Sequence, residues 1–312
     1  MAFSGKKSGS HRSRTLISES DLKTVKGKSL YYILIGGLLL GVSTTFIPLI
    51  WGMLSALKEP VEVFSYPPRF FPEPWNQPWQ WQWSNYVEAW KSLNYVKYFK
   101  NTIILALGVW FCHIVPTALA GYAISKLRLG ILRLFSYLFF VTLMVPFFTI
   151  LVPLYLTVTN LPLFHINLAS KEIAGGIFAV ILPAGVNAFN IFVFKTFFDE
   201  IPNDLIEAAR VDGAGELRIF SIIAIPLSHS IIAVLSIFSF INTWNDFFWP
   251  FLVLSEDWYT IMVRLYFFQK GALVPWNITL AALLLAAIPA IILFLIFQKR
   301  IMQGISLTGL KI

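Results

Sequence analysis

Residues 207–226 read Glu-Ala-Ala-Arg-Val-Asp-Gly-Ala-Gly-Glu-Leu-Arg-Ile-Phe-Ser-Ile-Ile-Ala-Ile-Pro, and the rest of the chain is interpreted outward from them. Five charged residues lie in the first twelve positions of this stretch, whereas the sequence after it is strongly apolar. Glycines at 213 and 215 allow the chain to reverse direction, because glycine accepts backbone angles that are closed to other residues. The pattern predicts a polar loop that connects two membrane-spanning helices.

The composition is typical of a membrane protein. Hydrophobic residues make up 57% of the 312 residues, charged residues make up 13%, and the mean hydropathy is +0.71. A soluble chain carries about twice that charged fraction. Crossing a bilayer takes about 20 apolar helical residues, and six stretches are long enough. We expect spans over residues 30–56, 101–123, 134–159, 173–194, 222–254 and 276–298.

These stretches predict an all-α, polytopic membrane protein with six transmembrane helices. In lipid, the backbone N–H and C=O groups must be hydrogen-bonded within the protein, which only helices and closed barrels achieve. The sequence lacks the alternating pattern of a barrel. The fifth stretch, 222–254, exceeds the length of one span, so part of it should be tilted or lie at the membrane interface. We expect residues 101–298 to form a core with five of the six helices.

The net charge of +8 is distributed as a topology signal. Sixteen of the 24 Lys and Arg residues lie in the stretches expected on the inner side: 1–29, 124–133, 195–222 and 298–312. Cytoplasmic loops of membrane proteins carry such an excess. We therefore expect a membrane protein with both termini in the cytoplasm and no nucleic-acid partner. Its basic segment 1–29 and its tail 299–312 should both be cytoplasmic.

The longest outer loop, residues 57–100, should be extracytoplasmic and is rich in tryptophan and proline. Four of its tryptophans lie close together: Trp75, Trp79, Trp81 and Trp83. Two interpretations are open. The rings could form an aromatic belt at the membrane interface, or they could form a surface that an external partner contacts.

The sequence contains no arrangement typical of catalysis or metal binding. Its four histidines are scattered, its single cysteine is Cys112, and it lacks the phosphate-binding pattern G-x-x-x-x-G-K-S/T. We expect no enzyme activity, no metal and no cofactor bound by this chain. Any nucleotide on which the protein depends should therefore be bound by a separate polypeptide.

The polar loop itself predicts a docking helix. Asp204 and Glu207 have the spacing of a capping box, which predicts a short helix over residues 204–211. Ala208 and Ala209 are small enough for this helix to fit closely into a groove of another protein. The alternative is an ordinary amphipathic helix in a loop.

The spacing of the loop resembles the EAA loop of binding-protein-dependent ABC importer permeases. The matching residues are Glu207, Ala208, Ala209, Gly213, Ile223 and Pro226, with Ile225 where leucine is usual. Further segments are similar to the carbohydrate branch of these permeases, the maltose-transporter-type second permease. They include Asn187-Ala-Phe-Asn-Ile-Phe192, Trp244-Asn-Asp-Phe247 and Gln298-Lys-Arg300.

The resemblance implies a type I ABC importer permease fold with a cytoplasmic EAA loop over residues 199–222. It also implies a location in a bacterial inner or plasma membrane. It implies that the ATPase-coupling residues are Glu207, Ala208, Ala209, Arg210, Asp212 and Gly213. It also implies a second permease subunit, two ATPase subunits and an extracytoplasmic solute-binding protein. The solute would be a sugar or oligosaccharide that passes from the binding protein to the cytoplasm.

A polar cluster in the fifth stretch is the candidate solute path. Its members are Asn242, Trp244, Asn245 and Asp246. Asp246 is the only acidic residue in the six stretches, and an intramembrane carboxylate normally faces a cavity or a partner. Rings and amides suit a sugar, but the alternative is a structural hydrogen bond between helices. We expect His113 and Asn190 to form contacts between helices.

Two rival functions fit parts of the sequence. An ABC permease for another solute, such as a polyamine, phosphate or sulfate, would share the fold, but the sugar-type motifs argue against it. An ion-coupled secondary transporter could use Asp246 as its ion site, yet it would need no loop for docking an ATPase.

Overall fold

The computed structural model describes residues 24–309 except residues 128, 163 and 272–273, with side chains up to residue 298 except that of residue 133. Its described elements are helices, apart from one isolated antiparallel bridge between Leu161 and Ile166. The chain divides after Trp81 into two compact units. Of the basic segment 1–29, only the last six residues lie within the described part.

The first unit contains one long helix, α1, Val25–Ser55. Its 31 residues extend about 46 Å at 1.5 Å per residue, which exceeds the thickness of a bilayer core. The Thr24 hydroxyl oxygen caps the helix by accepting the N–H of Gly27 at 3.1 Å. The helix therefore begins five residues before the expected span.

The rest of the first unit is largely irregular, with one 3₁₀ turn at Pro78–Gln80. The indole nitrogen of Trp81 donates to the carbonyl oxygen of Pro74 at 3.1 Å, which ties the proline-rich turns together. Trp75 and Trp79 are 72% and 74% exposed. Exposed rings agree with a membrane belt and with a partner surface, so both interpretations of this loop stay predictions.

The second unit contains thirteen α-helices within the described residues. They are α2, Ser84–Leu93; α3, Tyr95–Lys126; α4, Gly130–Thr142; α5, Phe147–Thr159; α6, Ile177–Ile181; α7, Ala188–Asp199; α8, Asn203–Val211; α9, Glu216–Ile219; α10, Ile225–Leu227; α11, His229–Asn245; α12, Phe248–Val253; α13, Ile261–Lys270; and α14, Trp276–Gly309. The expected loop 57–100 thus includes α2 and the first turns of α3. In the same way, α14 continues past residue 298 into the expected tail.

These helices provide up to six membrane spans by length and composition. Three are continuous: α1, α3 and the part of α14 that ends at Gln298. Three more arise when each bent pair of helices counts as one span: α4 with α5, Ala174–Gly185 with α7, and Glu216–Leu227 with α11. The last two pairs bend by 44° and 82°. The number agrees with the six expected spans, but half of them are broken.

A proline lies at or beside each break. Pro146 immediately precedes α5, Pro183 begins a 3₁₀ turn before α7, and Pro226 lies in α10. Proline lacks an N–H and its ring clashes with the preceding turn, so a helix bends or ends there. The over-long fifth stretch is also explained, because α11 ends at Asn245 and residues 248–253 form the separate helix α12.

Close packing of α3 on α7 provides the base for the polar loop. A Cβ added at Gly121 in α3 would lie 2.7 Å from the Cβ of Phe194 in α7, closer than real side chains approach. Phe194 and Phe198 are fully buried, and their rings stack at 5.8 Å. The same hydrophobic cluster contains Ile206 of α8 and Ile219 of α9, so the loop is anchored on this core.

Candidate functional site

The polar loop folds into two short helices, α8 and α9, joined by a tight turn. The helix α8 covers Asn203–Val211, close to the expected 204–211. The expected capping box is wrong, because Pro202 occupies the N-cap and Asp204 lies inside the first turn, without a side-chain cap from the described residues. A carboxylate in that turn still interacts favourably with the positive end of the helix.

Gly213 ends α8 in the left-handed conformation, with φ of +79°. The N–H of Ala214 donates to the carbonyl oxygen of Ala209 at 3.0 Å, and the N–H of Gly213 donates to that of Arg210 at 3.0 Å. These two bonds form a Schellman motif, which satisfies the carbonyl groups at the end of a helix. Gly215 follows at φ −69°, so only the first of the two glycines needs the left-handed region.

We call residues 203–219 the coupling segment; it has one anchored side and one exposed side. Ile206 and Ile219 are buried at 1% and 0% exposure. Three bulky apolar side chains remain exposed: Leu205 at 48%, Val211 at 87% and Leu217 at 74%. Of the predicted coupling residues, four are exposed: Glu207, Ala208, Asp212 and Gly213. Large apolar side chains exposed on a short polar segment favour contact with another protein.

Polar contacts join the coupling segment to the C-terminal part of α3. The Arg210 Nε donates to Glu216 Oε1 at 2.8 Å, which closes the turn between α8 and α9. The Tyr122 hydroxyl donates to the other carboxylate oxygen, Glu216 Oε2, at 2.9 Å, and Arg210 Nη2 donates to the Lys126 carbonyl oxygen at 3.3 Å. The hydrogen bond to Glu216 raises the pKa of the Arg210 guanidinium above its usual value, so this partner stays charged.

Lys126 makes a second link between α3 and the coupling segment. Its ammonium donates to the Ile201 carbonyl oxygen at 2.7 Å and to Asn203 Oδ1 at 2.9 Å. Lys126 is 6% exposed, and a buried cation requires such acceptors. Sequence reasoning did not identify Tyr122, Lys126 or Glu216 as functional candidates. The only signal was their position where an apolar stretch ends or begins.

Trp244, a member of the predicted solute path, is packed between helices. It is 1% exposed, and its indole nitrogen donates to the Ala286 carbonyl oxygen of α14 at 3.1 Å. Its ring stacks with that of Phe240 and meets that of Phe99 edge-on. These contacts correspond to the interhelical alternative considered for the cluster.

The other members of the predicted path separate into two places. Asn245 is exposed at the end of α11, and Asp246 lies in the break before α12. The Asp246 carboxylate lies close to the backbone of Phe248 and Trp249 at the start of α12, whose N-cap is Phe247. Asn242, in contrast, lines a cavity formed with α3 and α7.

This cavity has a volume of about 350 Å³. Its polar lining residues are His113, Asn187, Asn190, Ser239 and Asn242, and its apolar lining residues are Phe189, Leu235 and Phe238. The Nε2 of His113 lies 2.7 Å from the amide nitrogen of Asn190, so the expected contact between helices is confirmed, and both side chains also face the cavity. A pocket with a few converging polar groups is typical of a small-molecule site.

The chain matches the family described as "Binding-protein-dependent transport system inner membrane component" over residues 113–307. It is 30% identical over 277 residues to the sn-glycerol-3-phosphate transport system permease protein UgpE of Yersinia pestis bv. Antiqua, covering 86% of this chain and 93% of that protein. It is 27% identical over 263 residues to the diacetylchitobiose uptake system permease protein NgcG of Streptomyces coelicolor, covering 83% and 82%.

Solved structures show the same fold. A chain from a bacterial ABC transporter involved in the import of the acidic polysaccharide alginate superposes with a TM-score of 0.69 at 22% identity, covering 91% of this chain and 99% of that one. A chain from the alginate transporter in complex with an alginate pentasaccharide-bound periplasmic protein gives 0.54 at 18% identity, covering 89% and 94%. Its sequence and fold together show that this chain belongs to the binding-protein-dependent transport system inner membrane components, the multi-pass permease subunits of ABC importers.

Proposed function

We propose that this permease docks a cytoplasmic ATPase subunit through its coupling segment and imports a sugar or oligosaccharide. The observation that carries the docking is the two-sided coupling segment. Its buried isoleucines fix it to the α3–α7 core, while Leu205, Val211 and Leu217 remain exposed around Glu207 and Ala208. A short helix with exposed apolar side chains among its polar residues can fit a groove on another protein.

The proposed transporter contains a second permease subunit, two ATPase subunits that bind ATP and Mg, and a solute-binding protein outside the membrane. Support for an external binding protein comes from the similar alginate transporter, which was solved with its periplasmic protein. Support for a hydroxyl-rich solute comes from the names of the relatives, which refer to diacetylchitobiose, alginate and sn-glycerol-3-phosphate. The last of these keeps a non-sugar solute as the second candidate.

In this proposal, ATP binding closes the ATPase subunits and moves the coupling segment. The hydrogen bonds from Arg210 and from Tyr122 to Glu216 then pass the movement to α3. Transport becomes a shift between two states of the helix bundle, in which the path opens to one side of the membrane at a time.

Docking is tested by changing one exposed side chain of the coupling segment. We expect Val211→Asp to reduce co-purification of the ATPase subunits at least ten-fold, because it places a charge in an apolar contact. Val61→Asp is the matched control, since Val61 is 84% exposed and Val211 is 87% exposed, yet Val61 lies outside the segment. Equal recovery of the ATPase subunits with Val211→Asp and Val61→Asp would contradict the docking proposal.

Orientation is tested by labelling single cysteines in a Cys112→Ala background. We propose that the coupling segment and both termini lie in the cytoplasm and that the Trp/Pro-rich loop lies outside. An impermeant maleimide added to intact cells should label Gln80→Cys and leave Ser221→Cys unlabelled; both positions are exposed. Labelling of Ser221→Cys alone would show that the orientation is the reverse of the one proposed.

A further inference from the structure

We propose that the cavity between α3, α7 and α11 is a subsite for a neutral, polyhydroxylated solute within this subunit. This inference names a solute site for the transport function proposed above. It rests on that function for the direction in which the solute moves. It assigns the solute contacts to the polar residues that line this cavity: His113, Asn187, Asn190, Ser239 and Asn242.

The Ser239 hydroxyl in the cavity wall is available to bond a ligand. Ser239 is 4% exposed, and its Oγ has no hydrogen-bond partner within the described part of the chain. A buried polar atom without a partner is destabilising, so such atoms normally bond to protein, water or ligand. Because Ser239 lines the cavity, a solute hydroxyl placed there would satisfy it.

The part of the wall formed by α3 and α7 is held in place by contacts within the protein. Asn190 bridges to His113 at 2.7 Å, which joins α7 to α3. The Oδ1 of Asn187 accepts the N–H of Asn190 at 3.0 Å and caps the start of α7. Side chains fixed by such contacts need little reordering on binding, which favours affinity.

The position of the cavity excludes lipid as its natural neighbour. His113 lies near the middle of the continuous span α3, and the lining residues Asn187 and Asn242 are exposed. Polar side chains in spans face the interior of a bundle or a water-filled path, because hydrocarbon cannot hydrogen-bond them. The lining also includes Phe189 and Phe238, which are 60% and 42% exposed. Their ring faces can pack against the apolar C–H faces of a sugar.

The charge of the lining sets the class of solute. The described residues that line the cavity include no Asp, Glu, Lys or Arg. An anion taken out of water requires a charged partner, whereas hydroxyl groups are satisfied by amides and a serine. The cavity therefore favours a neutral sugar over solutes such as sn-glycerol-3-phosphate or a uronate.

The first test measures protection of the cavity from a thiol reagent. In a Cys112→Ala background, Asn242→Cys is alkylated with N-ethylmaleimide in the presence of maltose, diacetylchitobiose, sn-glycerol-3-phosphate or an alginate trisaccharide. We expect at least one neutral probe to slow alkylation three-fold or more and both anions to have no effect. Ser236→Cys on the same helix, outside the cavity lining, is the control that no probe should protect.

The second test measures solute transported per ATP hydrolysed in the complete transporter. We expect Ser239→Ala to lower this ratio about three- to ten-fold, the range expected for one lost hydrogen bond, and Ser236→Ala to leave it unchanged. Protection by an anionic probe alone, or by no probe, would overturn the proposal. So would an unchanged ratio in Ser239→Ala. The alkylation test requires no ATPase, so failed ATPase docking would contradict the proposed function without deciding this one.

Discussion

The Tyr122 hydroxyl lies 2.9 Å from Glu216 Oε2, across 94 residues of sequence. The other oxygen of this carboxylate accepts a hydrogen bond from Arg210 Nε. Glu216, which lies in α9, is therefore bonded to both α8 and α3. In the proposed function, a movement of α8 would pass to the span α3 through this one carboxylate. The contact is partly buried, so solvent screens it less than a surface ion pair.

The first prediction concerns this contact. Tyr122→Phe keeps the ring packed against Phe198 and Phe220 but removes the hydrogen bond. We expect assembly and ATP hydrolysis to persist while solute transported per ATP falls about three-fold, since loss of one hydrogen bond costs about 0.5–1.5 kcal/mol. Tyr137→Phe is the control, because Tyr137 is 65% exposed in α4. Unchanged coupling in Tyr122→Phe would show that the contact only supports the fold.

The second prediction separates the two glycines of the coupling turn. An added Cβ meets no atom within 4 Å at either Gly213 or Gly215, so space does not distinguish them. Backbone angle does: Gly213 has φ +79° and Gly215 has φ −69°. We expect Gly213→Ala to destabilise the turn by about 1–2 kcal/mol and to weaken ATPase binding.

Three comparisons complete this test. Gly215→Ala should behave like the unsubstituted protein, and Gly213→Asn should lie between them, because asparagine tolerates the left-handed region better than alanine. Thermal unfolding and ATPase co-purification are measured on the same preparations. Equal loss in Gly213→Ala and Gly215→Ala would contradict the conformational explanation.

The sequence was sufficient for the features that depend on local chemistry. Apolar runs identify the spans because lipid demands about 20 apolar residues, and the glycine at 213 identifies the end of α8 because few residues accept its backbone angle. Helix limits were less accurate. Asp204 was expected to cap α8, but the helix begins at Asn203 behind Pro202.

Features that depend on contacts between residues far apart in the sequence could not be predicted from the sequence. Tyr122 and Glu216 carry no local pattern that pairs them, since the contact exists only after α3 and α7 have packed. Proline alone does not locate the bends, because Pro48, Pro116 and Pro289 lie inside continuous helices. The bend angles depend on the neighbouring helices. The role of Trp244 was equally ambiguous, because indole suits a sugar site and a helix interface alike.

The third prediction concerns the contact between α3 and α7. Gly121→Ala would place a Cβ 2.7 Å from that of Phe194 and 3.0 Å from the Ile191 carbonyl oxygen. Backbone atoms cannot move aside cheaply, so we expect a loss of about 1–3 kcal/mol in the free energy of unfolding. Gly130→Ala is the control, since nothing lies within 4 Å of its added Cβ. Unchanged thermal unfolding of Gly121→Ala would show that the two helices separate more easily than this packing indicates.

The last prediction distinguishes packing from solute binding at Trp244. Because its ring is buried and its indole nitrogen is bonded to Ala286, Trp244→Ala should destabilise the bundle by about 3–5 kcal/mol and reduce assembly with the partner subunits. Trp244→Phe keeps part of the ring packing but loses the hydrogen bond and the volume of the five-membered ring, so it should cost about 1–3 kcal/mol.

Two further measurements make this test decisive. Trp79→Ala, at a position that is 74% exposed, should change stability by no more than about 0.5 kcal/mol. Uptake is then compared among variants at equal amounts of assembled transporter. If Trp244 only packs, uptake per assembled transporter stays normal in Trp244→Phe, because the cavity at Asn242 and Ser239 is intact. If uptake falls in Trp244→Phe while assembly and thermal unfolding are unchanged, then the indole contacts the solute, and the path extends from the cavity towards the end of α11.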